Sequence, residues 1–339
     1  MSYCIKINRV FSALCLSALF VPNVHAQPLN INLSQSSVSG LSSGGYMATQ
    51  FHLSHSETLV GAGIVSAGPY YCAQNSIMTA LNACINKMAD TPSDPFSYFN
   101  QAQKERLIAP LSSFADDKVW LLHGKLDTRI VRPVTDALYT QYAKWIPQEN
   151  LKYLTDKNFA HVFPTLQNGG DCKISSPPFI GDCNFDAAGE ILNFIYPNLQ
   201  PAISSKDTYE QGKLVEFKQA ELSDISGAGM NETGFAFIPN TCALGENCTI
   251  HISFHGCNQS IDNVGDSFAK LAGFNEWAVS NNIIVIYPQI KKSSVAPMNP
   301  QSCWDWWGYT NENYATKQGK QIKAVFSMMQ NAAEQFAKN

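Results

Sequence analysis

Short apolar runs bounded by turn residues alternate with amphipathic stretches along most of this chain, and that alternation predicts an α/β architecture. The runs Gln35 to Ser39, Leu59 to Ser66, Val119 to His123, Leu151 to Leu154, Leu214 to Phe217, Gly234 to Pro239, Thr249 to His255 and Ile283 to Pro288 are the expected strands. Helical patterns follow many of them, over Ser43 to His55, Pro133 to Trp145, Phe185 to Tyr196, Ser267 to Ser280 and Lys317 to Lys338. Pro133 suits a first helical turn, where its missing N–H would be unbonded anyway. The stretch Pro197 to Asp207 is the most loop-like, but the same alternation continues on both sides of it. One α/β domain is therefore expected over 27–339.

The beginning of the chain departs from this pattern. Lys6 and Arg9 precede an apolar run from Val10 to Val21, and Val24-His25-Ala26 offers small residues for cleavage. That is the layout of a secretory signal peptide over residues 1–26. The run is short for a membrane span, and no later one is longer, so a secreted protein without a membrane anchor, and a monomer, is expected.

Cysteine usage agrees with export. Of ten cysteines, Cys4 and Cys15 fall in the expected leader, which leaves an even number for an oxidising compartment. Short spacing favours the pairs Cys72–Cys84, Cys172–Cys183 and Cys242–Cys248, which leaves Cys257 for Cys303. The sequence does not by itself choose among the many pairings. No C-x-x-C or clustered His/Cys pattern is present, so neither a metal nor a cofactor is expected. A net charge of −4 with 15% charged residues provides no basic patch, which argues against nucleic acid as a partner. The 19 Phe, 13 Tyr and 6 Trp fit an apolar or uncharged substrate, although a core also uses them.

The candidate chemistry starts at Gly40-Leu41-Ser42-Ser43-Gly44, a G-x-S-x-G pentad between a strand and a helix. A sharp strand–turn–helix connection lifts a serine hydroxyl clear of the sheet, and flanking glycines let neighbouring backbone pass. The helix that follows turns free N–H groups toward a developing oxyanion. Ser42 is the expected nucleophile. It needs a base and an acid to orient that base, and in this architecture both follow it on loops after strands. His161 follows the strand Leu151 to Leu154 through a loop and is the expected base. Asp127, in His123-Gly124-Lys125-Leu126-Asp127, follows a strand into the sheet's carboxyl edge and is the expected acid. Asp171 and Asp182 are its rivals, whereas Asp116 and Asp117 precede the strand and fall at the wrong end. His52 and His55 are expected to face solvent or packing.

An oxyanion hole combines the N–H after the nucleophile, here Ser43, with one from a loop after an earlier strand marked by His-Gly. No His-Gly precedes Ser42. The matching feature lies far downstream, where the strand Thr249 to His255 runs into Gly256 and Cys257. A circular permutation explains this order, with Cys257 N–H as the second donor, and predicts that residues near 30 and 339 lie close together. Cys303-Trp304-Asp305-Trp306-Trp307 is the densest aromatic run. Three tryptophans and an aspartate are hard to hide together, so some are expected at the surface, lining the pocket beside Cys257.

Together, Gly40-Leu41-Ser42-Ser43-Gly44-Gly45-Tyr46, His255-Gly256-Cys257 and Cys303-Trp304-Asp305-Trp306-Trp307 resemble the secreted polyhydroxybutyrate depolymerases and their feruloyl and acetylxylan esterase relatives. The permuted order is similar to the single-domain, fungal-type depolymerases. The resemblance implies a circularly permuted α/β-hydrolase fold and a serine esterase acting on a polyester or oligomeric ester substrate. It implies Ser42, Asp127 and His161 as the triad, Ser43 and Cys257 as oxyanion donors, and Trp307 beside the monomer next to the scissile ester. Many relatives carry a linker and a polymer-binding domain. Neither is expected here, so adsorption is expected of apolar side chains around the crevice.

Overall fold

The computed structural model describes Met1 and residues 27–86 and 95–337. The expected leader lies outside the described residues apart from Met1. Eight strands build the main sheet: β1 (Ser36–Leu41), β2 (Leu59–Val65), β3 (Lys118–Leu122), β4 (Leu151–Leu154) and, after a small three-stranded sheet, four more. The small sheet is β5 (Phe163–Thr165), β6 (Gly170–Asp171) and β7 (Ile180–Asp182), and the later strands are β8 (Gly212–Lys218), β9 (Thr233–Pro239), β10 (Thr249–Phe254) and β11 (Ile283–Tyr287). Their spatial order is β4-β3-β2-β1-β10-β11-β9-β8. All neighbours from β4 to β11 pair parallel, while β9 pairs antiparallel with β11 and β8 with β9.

Alternation along each strand divides the core into two layers. Val38, Ile64, Leu121, Ile252 and Ile284 face a cluster with Met47 and Phe51 of helix Ser43–His55 and with Val325 and Met328 of helix Lys320–Phe336. Val65, Trp120, Leu122 and Val285 face the opposite way, against Ile191 and Leu192 of helix Ala187–Ile195 and Ala278 of helix Phe274–Ser280. Parallel strands covered on both faces usually read as continuous apolar runs. β1 breaks that rule: three of its residues are serines, yet every position is buried. Ser37 and Ser39 hydroxyls meet the two ring nitrogens of His251 on β10 at 2.7 and 2.8 Å, and Tyr196 hydroxyl donates to Ser37 Oγ at 2.8 Å. Ser37 and Ser39 are tolerated there because each finds a partner.

All eight expected strands of the main sheet form, with ends within two residues of those expected. The expected helix Ser267 to Ser280 is broken into Ser267–Leu271 and Phe274–Ser280, because Gly273 between them takes φ +89°, a left-handed value that a helix cannot carry through. The loop-like stretch at Pro197 ends sooner than expected. Ser204 caps a helix over Ser205–Gln211 by accepting from Asp207 N–H.

The sheet is closed at its centre by chain from both halves. β1 pairs with β10, and the segment entering β1 runs beside the start of β10, with Asn32 N–H to Cys248 O at 2.7 Å and Cys248 N–H to Asn30 O at 2.8 Å. Leu29 N–H donates to Ala333 O at 2.9 Å, so the residues near 30 meet the last turns of the C-terminal helix. The pairing of β1 with β10 brings the end of β1 and the end of β10 side by side at one edge of the sheet.

Candidate active site

β1 ends at Leu41, and Ser42 follows with φ 58° and ψ −121° before helix Ser43–His55 begins. A non-glycine residue at positive φ costs on the order of 1–3 kcal/mol, so the surroundings must hold it. Ser42 N–H donates to Val65 O and Ser42 O accepts from Tyr46 N–H, each at 2.9 Å. The flanking glycines are required sterically. A Cβ at Gly40 would sit 2.1 Å from Gly44 O, and one at Gly44 would sit 2.2 Å from Phe254 O, both backbone atoms. The turn therefore packs directly against the end of β10.

Asp127 follows β3 and is buried. One carboxylate oxygen accepts from the N–H groups of Arg129 and Ile130 at 2.9 and 3.1 Å, and the other lies 2.7 Å from His161 Nδ1. Burial alone would push this carboxyl up, but the His161 ring beside it and the backbone donors outweigh burial and hold it below the usual carboxylate range. The loops bearing these two residues are zipped together. Lys125 and Leu126 N–H groups donate to Lys157 and Phe159 carbonyls, and a Cβ at Gly124 would lie 2.2 Å from Phe159 O. On the other side, Ala160 N–H donates to Cys172 O and Ser175 hydroxyl donates to His161 O, within the region stapled by Cys172–Cys183 and the small sheet. With Nδ1–H committed to Asp127, a neutral His161 presents Nε2 as an acceptor. Ser42 and His161 line one cleft.

Past β10 the chain runs through His255, Gly256 and Cys257. His255 is fully buried; its Nε2 accepts from Ile290 N–H at 3.3 Å, so Nδ1 carries the proton and donates to Gly256 O at 2.7 Å. Burial lowers its pKa to about 4, which keeps the ring neutral. Because a peptide is planar and trans, fixing Gly256 C=O toward His255 turns Cys257 N–H to the opposite side. Gly256 N–H is itself taken by Gln259 Oε1 at 2.7 Å, while Gln259 Nε2 donates to Pro178 and Phe179 carbonyls at 2.8 and 3.0 Å. The buried Gln259 thus ties this loop to the segment that follows the His161 loop. Nothing in the sequence marks it, since its partners lie far away along the chain. A Cβ at Gly256 would stand 3.5 Å from Ser42 Cβ, so the loop passes against the serine, and the bridge Cys257–Cys303 holds it from behind.

The cleft has a volume of about 590 Å³. Trp306 and Trp307 line it, with Trp306 stacked on Tyr46 at 4.5 Å and Trp307 edge-on to Trp306 at 5.7 Å. Trp304 does not fit the expectation of a substrate contact. It is fully buried, edge-on to Phe254 at 4.8 Å, and its backbone N–H donates to Ser43 Oγ at 3.4 Å. Asp305 is buried too, because its carboxylate is satisfied by N–H groups of Gly308, Tyr309 and Thr310 and by the Thr310 hydroxyl. A turn that supplies so many donors can hide an aspartate beside two tryptophans. Exposed Ile77, Leu81 and Met298 form the cleft mouth, and the sequence carries no signal for them.

The remaining candidates lie elsewhere. Asp171 and Asp182 are exposed on the small sheet. His123 is buried and donates to Ile130 O. His52 and His55 are both buried; His52 pairs with Asp117 at 3.0 Å and touches Tyr142, and His55 stacks on Phe326. This second His–Asp pair lies at the far end of helix Ser43–His55 and lines no part of the cleft. The four expected disulfides are all present. Among the described residues no cluster of His, Cys, Asp and Glu could hold a metal, and no helix is long and apolar enough to cross a membrane.

No protein-family model matches the chain. A poly(3-hydroxybutyrate) depolymerase of Delftia acidovorans is 38% identical over 321 residues, covering 94% of this chain; the chain spans only 63% of that relative's length. A polyhydroxybutyrate depolymerase of Talaromyces funiculosus is 33% identical over 321 residues, covering 91% of this chain and 92% of the relative. Two solved structures are similar at 31% identity, each covering 90% of this chain and 97% of its own. One is a PHB depolymerase from Penicillium funiculosum, with a TM-score of 0.80, and the other a serine-to-alanine variant of a PHB depolymerase complexed with an R3HB trimer, with a TM-score of 0.81. The mostly parallel sheet and these neighbours identify the fold as an α/β-hydrolase.

Proposed function

The chain belongs to the polyhydroxybutyrate depolymerase family, and from that premise we propose that it is a secreted serine esterase hydrolysing poly(3-hydroxybutyrate) or related short-chain polyesters through an acyl-enzyme. The observation that carries this reading is the 2.7 Å contact of His161 Nδ1 with Asp127, in a cleft that His161 shares with a serine held on a strained turn.

In the first step His161 Nε2 takes the Ser42 proton as the hydroxyl attacks an ester carbonyl, and Asp127 stabilises the imidazolium that results. Ser43 N–H, at the open first turn of its helix, and Cys257 N–H hold the tetrahedral oxyanion. His161 then returns the proton to the leaving alcohol. Water repeats the sequence and frees the hydroxyacid. Trp306 and Trp307 pack along the bound monomers, and the apolar mouth at Ile77, Leu81 and Met298 meets the polymer surface. Residues 27–339 act as one catalytic domain, exported behind the leader; four disulfides fit an oxidising compartment.

The test is clearing of a suspended polyhydroxybutyrate film, together with covalent labelling of the serine by a fluorophosphonate. Wild type should clear the film and label. Ser42→Ala should do neither, with turnover lower by about 10⁶. Clearing by Ser42→Ala, or wild type that labels without clearing, overturns the nucleophile or the substrate respectively.

A further inference from the structure

The lining of the cleft is almost uniformly uncharged. Apart from His161 and the hydroxyls of Ser42, Ser43, Ser175 and Tyr46, its side chains are mostly apolar groups, tryptophans and amides, and among the described residues Arg129 supplies its single permanent charge. Among the described residues no Asp, Glu or Lys lines the cleft. Arg129 is exposed, and none of the ion pairs among the described residues includes it, although nearby Arg132 is paired with Asp136. Its backbone is fixed, since its N–H donates to Asp127 Oδ1 at 2.9 Å. A guanidinium set in an apolar cleft, with no carboxylate among the described lining residues, is matched to an anion brought by the ligand, which its planar fork grips with two hydrogen bonds.

The interior of a polyester is neutral and offers nothing for that charge. Its end does. In the last ester of a hydroxyacid chain, the leaving alcohol carries the free terminal carboxylate only a few bonds from the leaving oxygen. That oxygen must receive its proton from His161, so the leaving group passes along the Asp127–His161 side of the cleft. Arg129 stands on that side, two residues beyond Asp127. We infer that Arg129 is a receptor for the terminal carboxylate of hydroxyacid oligomers and directs cleavage to the ester nearest the free acid end. This rests on the esterase reading above and deepens it: the preferred soluble substrates are short oligomers with a free carboxylate. The same contact makes the released hydroxyacid a competitive inhibitor.

The experiment compares the dimer of 3-hydroxybutyrate as the free acid with its methyl ester, on wild type, Arg129→Gln and Arg129→Lys. Wild type should favour the free acid by about tenfold or more in kcat/KM, mainly through KM, and the preference should shrink with added salt. Arg129→Gln should bring the ratio near one and weaken inhibition by 3-hydroxybutyrate. Arg129→Lys, which keeps charge but not the fork, should fall between. Because each ratio is measured on one preparation, a partly folded variant does not distort it. Hydrolysis of both substrates with a ratio that Arg129→Gln leaves unmoved overturns this assignment alone. Hydrolysis of neither by a wild type that still clears the polymer film also overturns this assignment alone, whereas a wild type that neither hydrolyses them nor clears the film overturns the esterase reading and this one with it.

Discussion

Asp127 shows how far one side chain's surroundings set its work. It is buried, yet remains ionised because two backbone N–H groups and one imidazole N–H converge on it. Asp127→Asn keeps shape and volume, but with its oxygen held by the two backbone N–H groups it turns its amide N–H to His161 Nδ1, which moves the ring proton to Nε2, the wrong nitrogen. kcat should fall by about 10⁴ while KM stays within a few-fold, measured on a soluble aryl ester. A variant that keeps full turnover would remove Asp127 from the triad. The position of this residue was legible because a strand running into His-Gly-x-x-Asp fixes where the carboxylate emerges. That His161 meets it was legible from the loop that carries this histidine beyond the strand Leu151 to Leu154. Gln259 was not, because a buried amide that satisfies a loop N–H and two distant carbonyls leaves no local pattern. Trp304 and Asp305 misled for the opposite reason. Their local composition suggested exposure, while a turn several residues on supplied the donors that let both be buried.

At the scale of elements, the most informative one is β1. Gln35 to Ser39 was expected as a strand, but its serines are poor evidence for a central one. The structure explains the serines through His251 on the neighbouring strand, whose ring nitrogens meet Ser37 and Ser39 and whose face lies 4.6 Å from Phe274. Burial lowers the His251 pKa from 6.5 to about 3. The sign follows directly. Between those values the unfolded chain binds a proton that the folded chain refuses, so stability is complete above about pH 6.5 and declines as pH falls toward 3. His55, lowered to about 3, and His255, lowered to about 4, act in the same direction. His251→Asn should therefore be less stable at neutral pH, but its stability should decline less steeply between pH 6.5 and 4.5, by up to about 1.4 kcal/mol per pH unit. Urea midpoints across that range read the slope. Equal slopes for variant and wild type would mean that His251 takes up its proton without unfolding. The small sheet β5–β7 escaped notice because strands of two or three residues carry no periodicity, and yet it frames the loop of His161.

For the whole molecule, the arrangement of the sheet matters more than the order in which the chain visits it. From the second half, β10 lies against β1 and supplies the loop that passes Ser42, and β11 extends the sheet beyond it, although both are made last. The contacts at this junction are local in space: Leu29 meets Ala333, Asn30 meets Cys248, and β1 meets β10 along its length. If packing rather than chain order assembles the site, the order can be changed. A variant whose residue 337 is joined to residue 27 by a flexible linker, and whose new ends open between the exposed Gln200 and Pro201, should fold. Its chain would then run β8, β9, β10, β11 and only afterwards β1 to β4, so the His255-Gly256-Cys257 loop would precede the serine, the order found in ordinary hydrolases of this fold. The four disulfides join residues that all lie within the retained segments, and none spans the new opening. The rearranged protein should take up fluorophosphonate at Ser42 stoichiometrically and melt within about 4 °C of the original, equivalent to roughly 2–3 kcal/mol for a domain of this size. A soluble, folded product that fails to label would show that the chain's native order, and not the packing of β1 on β10, brings Ser42 and its partners into register.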